Sequence, residues 1–373
     1  MNIKSLLLGS AAALAVVSGA QAADAIVAAE PEAVEYVRVC DAYGTGYFYI
    51  PGTETCLRIA GYVRFDVGFG FGDGYKNNGP DGLGLDGGED WQTHTRAHVS
   101  FDANSDTELG TLKSRIVLEA NRSTGIPGGS AADFVGASNA GYTDASGTII
   151  DEAYIDLAGF RVGRFASWWD NDFSGETDLM GGPVTKSNSI RYQYDGGDFY
   201  AGIALEDIGV YSNRYIDHPD NNALGIDGTV GGKVGGFTWQ VYAGYDMGQQ
   251  EGAVTARIGA DIGPGTFELA GIYSSDPNQY YDASEWAIAA QYAIKVTDKW
   301  GITPAVQYNQ NIDLDTDGSF DDGHMWRAGV TLDYQVVENL SAKLAATYVN
   351  EDHEGARGNV DYVEGFFRLQ RDF

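Results

Sequence analysis

LRIAGYVRFDVGFGF, residues 57–71, is the stretch on which the fold turns. Its odd positions read Leu57, Ile59, Gly61, Val63, Phe65, Val67, Phe69 and Phe71. Its even positions read Arg58, Ala60, Tyr62, Arg64, Asp66, Gly68 and Gly70. Strict alternation marks an extended strand with one apolar and one largely polar face. The run is long for a soluble strand of about five or six residues. It is long even beside the roughly 9–11 residues that cross a bilayer.

The pattern recurs along the chain. Residues 91–103 place Trp91, Thr93, Thr95, Ala97, Val99 and Phe101 on one face and His94, Arg96, His98 and Asp102 on the other. Residues 112–120, 237–246, 285–296 and 326–336 alternate in the same way. Short separators, such as 104–110, 157–159, 196–197, 263–265, 297–299 and 338–339, take turns with long ones at 73–90, 123–147, 166–188, 207–225 and 313–323. The spacing predicts sixteen strands, starting near Leu57, Trp91, Thr111, Ile149, Phe160, Ser189, Phe199, Ile226, Phe237, Ala253, Thr266, Ser284, Trp300, Met325, Leu340 and Val360. An even-numbered antiparallel meander, apolar outward, with short turns at one end and long loops at the other, describes an all-β transmembrane up-and-down β-barrel of an outer membrane. Lipid offers the backbone no hydrogen-bond partners, so such a sheet must close on itself. Sixteen strands enclose a lumen too wide for side chains to fill, which predicts an aqueous channel. Trp91, Trp239, Tyr245, Trp286, Trp300 and Trp326 lie near expected strand ends, where aromatic girdles form.

The two ends of the chain agree with this. Lys4, the apolar run of residues 6–17 and the small-residue site Ala20-Gln21-Ala22 read as a secretory signal peptide over residues 1–22. The expected organisation is therefore signal peptide 1–22, an N-terminal segment 23–56 carrying two cysteines, and a barrel over 57–373. At the other end EGFFRLQRDF, residues 364–373, finishes inside an alternating strand on a bare Phe373.

Composition excludes several function classes. The net charge is −30, and Lys4 is the signal segment's one charged residue, so the remaining chain is one unit more negative. No basic footprint exists for a nucleic acid. Hydrophobic residues at 43% and aromatics at 12% argue against disorder. Glycine, 51 of 373 residues, is about twice its usual frequency. No G-x-S-x-G or H-E-x-x-H motif and no legible nucleophile–base pairing is present, so neither an enzyme nor a cofactor is expected. The two cysteines, Cys40 and Cys56, would lie in an oxidising compartment, which favours a disulfide. A metal site is the poorer reading, because no His or third Cys lies near them in sequence.

VRVCDAYGTGYFYIPGTETCLRIAGYVRFDVG, residues 37–68, resembles the start of the alphaproteobacterial general porins. The likeness continues through SWWDNDF, residues 167–173, to RLQRDF at the end. The resemblance implies a sixteen-stranded homotrimer in the outer-membrane lipid that passes small hydrophilic solutes and ions by diffusion. It also implies that the terminal strand, with Phe367, Leu369 and Phe373 outward, is what the barrel insertion machinery reads. Arg371 departs from the apolar pattern there and is placed to snorkel at the membrane rim.

The same resemblance implies that the loop after the fifth strand folds into the lumen. Trp168, Asp170, Asp172, Glu176 and Asp178 would then form an acidic constriction. Arg58, Arg64, Arg96, Lys113 and Arg115 fall on the lumen faces of the early strands and would supply a facing basic wall. Opposed charge across a narrow passage creates a transverse field. The bland alternative is an ordinary acidic loop and scattered solvated arginines. His94 and His98 flank Arg96 on a strand face, where a basic stripe is the better reading than a metal pair. Asp313, Asp315 and Asp317 match the opening of a Ca²⁺ loop, but His324 stands where its closing Glu belongs, so a solvated external loop is the plainer reading. Rival functions are a sugar-specific channel, a structural or adhesive barrel contacting the envelope through residues 23–34, and a soluble secreted β-protein.

Overall fold

The computed structural model describes residues 38–72, 91–124, 145–209, 224–354 and 358–373. The signal-peptide reading, residues 23–37, the long loop 73–90 and most of the long loops 123–147 and 207–225 fall outside the described residues.

Sixteen long strands form one antiparallel sheet. They are β1 (Cys56–Gly72), β2 (Trp91–Thr107), β3 (Gly110–Thr124), β4 (Ala145–Leu157), β5 (Phe160–Ala166), β6 (Lys186–Asp195), β7 (Phe199–Asp207), β8 (Leu224–Val234), β9 (Phe237–Asp246), β10 (Glu251–Ile262), β11 (Gly265–Ser274), β12 (Trp286–Lys295), β13 (Trp300–Gln310), β14 (His324–Val337), β15 (Leu340–Asp352) and β16 (Asn359–Asp372). Each pairs with its successor, and β16 pairs back onto β1 from Tyr362↔Gly72 to Asp372↔Tyr62. The sixteen strands thus close into a barrel, and a two-residue strand, Phe48–Tyr49, adds to the start of β1 at Leu57 and Cys56. Each expected strand start lies within four residues of the observed one.

The alternation sorts residues by side. Ile59, Val63, Phe65 and Phe71 of β1 are exposed outward, whereas Asp66 is buried in the lumen. On β2 the buried lumen residues are His94, Ser100, Asp102 and Asn104. Aromatic pairs form at both rims. Trp300 stacks on Tyr334 at the short-turn end (4.3 Å), and Tyr273–Trp286 (4.4 Å) and Tyr308–Trp326 (4.6 Å) lie at the long-loop end. These are the places where amphipathic rings suit a headgroup layer.

Closure ends on the terminal phenylalanine. Phe373 N–H donates to the Gly61 carbonyl (2.9 Å), and Gly61 N–H returns the bond to the Phe373 carbonyl (3.0 Å). A Cβ at position 61 would stand 3.0 Å from the Phe373 ring and 2.1 Å from the His98 carbonyl, so only glycine fits there. Phe367, Leu369 and Phe373 are all exposed on the outer surface, and Arg371, also exposed, donates to the Asn339 carbonyl of a short turn.

Cys40 and Cys56 form a disulfide with Cα atoms 6.0 Å apart, at the short-turn end where β1 begins. Both are buried with Tyr47, and Tyr43 and Tyr49 pack around them. Tyr43 reaches Asp106 on β2 (2.7 Å), so the cross-linked segment is tied to the barrel wall.

Two boundaries differ from the sequence reading. Residues 104–107, expected in a turn, continue β2 and pair with Gly110–Lys113, because the polar Asn104 and Asp106 face the lumen rather than a turn. The expected loop 313–323 contains a small hairpin, Asp313–Leu314 against Phe320–Asp321.

Candidate functional site

Residues 167–185 leave β5 and fold across the lumen before β6 begins. The turn is rooted by buried apolar groups. Trp169 is fully buried, edge-on to Tyr242 (4.9 Å) and tilted against Tyr280 (5.6 Å). Phe173, Met180 and Val184 join the same cluster. Ser167 Oγ lies 3.1 Å from Asp227 and 3.5 Å from Glu206 and fixes the start of the loop to β7 and β8.

The rest of the loop is held by polar side chains of the far wall. Asn171 donates to Gln240 of β9 (2.9 Å). Gln291 of β12 accepts from Gly175 N–H (2.9 Å) and donates to Ser174 (2.8 Å). Gln307 of β13 accepts from Leu179 N–H (2.6 Å) and donates to the Leu179 carbonyl (3.1 Å). Thr331 of β14 accepts from Glu176 N–H (3.0 Å), and Arg327 Nε donates to the Thr177 carbonyl (2.8 Å). Arg257 of β10 donates to the Asn171 carbonyl and lies over the Phe173 ring (4.7 Å). These bonds seat the loop on strands of the β9–β15 wall.

A second loop, 275–285, also turns inward, and sequence reasoning missed it. Asn278, Gln279, Tyr280, Tyr281 and Ser284 are fully buried. Val184 N–H donates to the Gln279 carbonyl (3.1 Å), and Tyr281 O–H donates to the Leu179 carbonyl (3.2 Å). Gly182 meets Tyr280 so closely that a Cβ would fall 1.7 Å from its carbonyl oxygen. This loop clamps the first one from above. Its signal was the aromatic pair Tyr280-Tyr281 in a segment otherwise made of turn residues.

The Trp168 ring lies under the Arg191 guanidinium at 4.0 Å. Asp170 and Asp172 face lumen water, with Lys186 Nζ 3.9 Å from Asp170. Asp178 accepts from Phe173 N–H (3.3 Å). Glu176 is neutralised by Lys343 (2.7 Å), with Arg368 at 3.8 Å. Enclosure inside the barrel raises the Asp170 and Asp178 carboxyls above the usual range. Enclosure first, and then the neighbouring Asp178 carboxylate, push Asp172 up to about 7.

On the opposite wall the cations are interleaved with acids. Arg58 (2.8 Å) and Arg115 (2.9 Å) share the fully buried Asp102. Arg115 also meets Glu152 (2.9 Å). Arg96 bonds Asn121 (2.7 Å) and lies 3.3 Å from Glu119. Arg64 donates to Gln370 (2.8 Å). Lys113 is half-buried, in register between Asn104 and Asp156. Arg161, paired with Asp156 (2.7 Å), and Arg368, paired with Asp66 (2.6 Å), extend the same surface.

His94 bridges Asp66 (3.3 Å) and Asn121 (3.0 Å). His98 stacks on Tyr62 with ring centroids 4.6 Å apart, so the two histidines serve different partners. The ligand atoms of His98, Glu119 and Asp151 lie within 4.8 Å of one another. Lys186 (3.0 Å from Asp151) and Arg96 (3.3 Å from Glu119) already compensate both carboxylates, which disfavours a metal cation there. Asp313, Asp315 and Asp317 are each engaged within the protein. Asp313 contacts His353 (2.6 Å) and accepts from Glu354 N–H (2.9 Å), Asp315 accepts from Thr316 N–H, and Asp317 caps Ser319.

A family model described as a porin subfamily matches residues 24–366. The chain belongs to this porin subfamily. Outer membrane protein IIIA of Rhizobium leguminosarum bv. viciae is 46% identical to the porin, over 98% of this chain and 93% of its own. Porin Omp2b of Brucella abortus (strain 2308) is 37% identical, over 98% and 90%. The fold of the porin is shared by the outer membrane channel DcaP of Acinetobacter baumannii, with a TM-score of 0.63 at 12% identity, covering 87% of this chain and 99% of that one. The porin is an outer-membrane channel that spans the membrane with its strands.

Proposed function

We propose that the porin is a passive, water-filled diffusion pore for small hydrophilic solutes and ions, acting as a channel rather than as an enzyme. The observation that supports this is the seating of residues 167–185 across the lumen on the β9–β15 wall, a placement that would narrow the passage. Asp170 and Asp172 stand on one side of the passage and the arginine-rich wall of β1–β3 on the other, so a dipolar solute meets a transverse field. Because most wall cations are paired with acids, that field is local and the net selectivity is weak. The reading includes cleavage after residue 22, a disulfide-closed periplasmic segment before a barrel that runs from residue 57, and recognition of Phe367, Leu369 and Phe373 by the insertion machinery. It includes a homotrimer, favoured by the small outward residues Thr93, Thr95 and Ala97 of β2, which allow close packing against another copy.

Liposome swelling with neutral sugars of increasing size tests the reading. The expected result is rapid entry of monosaccharides, falling steeply with mass. Equal rates for all sizes would mean that the loop sets no limit.

A further inference from the structure

Toward the short-turn end, beneath the constriction loop, the lumen holds a cavity of about 550 Å³. Ser174 of the loop and five cations line it: Arg64, Lys295, Lys299, Lys343 and Arg368. Its lining holds only two carboxylates, Asp298 and Asp333. The volume lies in the range of roughly 300–1,000 Å³ typical of ligand pockets.

Three of the five cations are compensated. Lys295 pairs with Asp298 (3.4 Å), Lys343 with Glu176 (2.7 Å) and Arg368 with Asp66 (2.6 Å). Lys299 Nζ donates to the Val336 carbonyl (3.2 Å), which leaves its charge intact. Arg64 is the unusual one. Its Nε donates to a neutral acceptor, Gln370 Oε1, and its guanidinium lies 4.7 Å from the Tyr62 ring centroid. The register sets Arg64 directly opposite Arg96 on β2. On β16 it is opposite Gln370, one diagonal step from Arg368. Like charges facing each other across a sheet are destabilising unless something offsets them. The amide bond at Nε fixes the plane of the fork and leaves its two terminal nitrogens as the edge that can meet a ligand. Such a fork matches the oxygens of phosphate and carboxylate.

We propose that this cavity is a binding station for small doubly charged oxyanions, held by Arg64 and Arg368 with Lys343 and the Ser174 hydroxyl beside them. The proposal rests on the diffusion-pore reading above. A solute that has passed the loop enters the station before it leaves the barrel.

The test is the single-channel current of the full mature protein in a planar bilayer, in potassium chloride at pH 7.5. Inorganic phosphate is titrated into each chamber in turn, with succinate and glucose as comparison probes. Phosphate is expected to reduce the current saturably, while glucose at the same concentrations does not. Block by succinate as well would show that the station reads charge and oxygen geometry shared by both anions. Block by phosphate alone would narrow it to the tetrahedral anion. Arg64→Gln should raise the half-blocking concentration at least tenfold. Arg64→Lys, which keeps the charge and loses the fork, should fall between. If Arg64→Gln does not fold, Arg64→Lys carries the test, and an unchanged half-blocking concentration overturns the station. A normal channel without saturable block, or with the same block in Arg64→Gln, also overturns it and leaves the pore reading standing. Folded protein that carries no current overturns the pore reading itself.

Discussion

Replacing Gln291 and Gln307 together by leucine isolates what holds the loop 167–185 in place. Each glutamine grips the loop with both ends of its amide, one through Gly175 and Ser174 and the other through Leu179 twice. At about 1 kcal/mol net for each hydrogen bond, four lost bonds weaken the seat by about 4 kcal/mol. That is roughly a thousandfold change in the ratio of seated to unseated loop. Each amide also donates to a wall side chain, Gln291 to Glu268 and Gln307 to Asn309 (2.8 Å), so the variant should lose some barrel stability as well as the seat of the loop. The other anchors, at Thr331, Arg327 and Lys343, remain. The expected phenotype is therefore a folded barrel whose loop detaches intermittently. Single-channel recording should show larger, noisier steps, and liposome swelling should admit larger sugars than the wild type admits. The same conductance, noise and sugar cut-off in a variant with normal heat-modifiable mobility would refute the idea that these two side chains set the aperture.

Three further outcomes are expected. Cys40→Ser with Cys56→Ser opens a loop of sequence separation 16 and should lower stability by about 3 kcal/mol in the chain-entropy account, seen as an earlier unfolding midpoint in denaturant, while the unitary conductance stays unchanged. Asp172 is neutral below about 7 and charged above it, so cation preference, read from reversal potentials, should rise between pH 6 and 8, and Asp172→Asn should flatten that rise. The sign for stability is the opposite: a raised carboxyl pKa favours the folded state most fully below 3.8, and that advantage is lost as pH rises through about 7. His353 joins Glu351 (2.9 Å) and Asp313 (2.6 Å), and the hydrogen bond to Glu351 first, then that to Asp313, raise its pKa. The latch between loop 311–323 and β15 is then firm below about 6.5, the ordinary histidine value, and loosens as pH rises through the raised one. Protease nicking within 311–323 should increase with pH, and His353→Asn should nick quickly throughout.

The barrel was legible because its signal is local. Alternation over residues 57–71 needs no knowledge of neighbours, and each later run repeats it. The closing strand was legible for the same reason, since Phe367, Leu369 and Phe373 share one parity. The site was legible only in part. Arg58 and Arg115 could be placed on the lumen face by counting, but their common partner Asp102 could not be assigned without the register between β1, β2 and β3. Asp66, Glu119 and Glu152 have lumen parity too, and weighing them with the arginines would have replaced an expected basic wall by a wall of ion pairs. Gln291, Gln307 and Arg327 carry no motif. They gain their role from a loop that sits far away in sequence, with 128 residues separating Leu179 from Gln307. The small hairpin in 313–323 and the inward turn of 275–285 depend on tertiary contacts that no local period reports.

The most direct measurement is the single-channel current of purified protein in a planar bilayer, with the reversal potential read across a salt gradient. Discrete ohmic steps, often in groups of three, are expected, with a weak selectivity that shifts toward cations as pH rises through 7. Folded, detergent-stable barrels that pass no current would contradict the diffusion-pore reading, because the lumen would then be filled rather than narrowed.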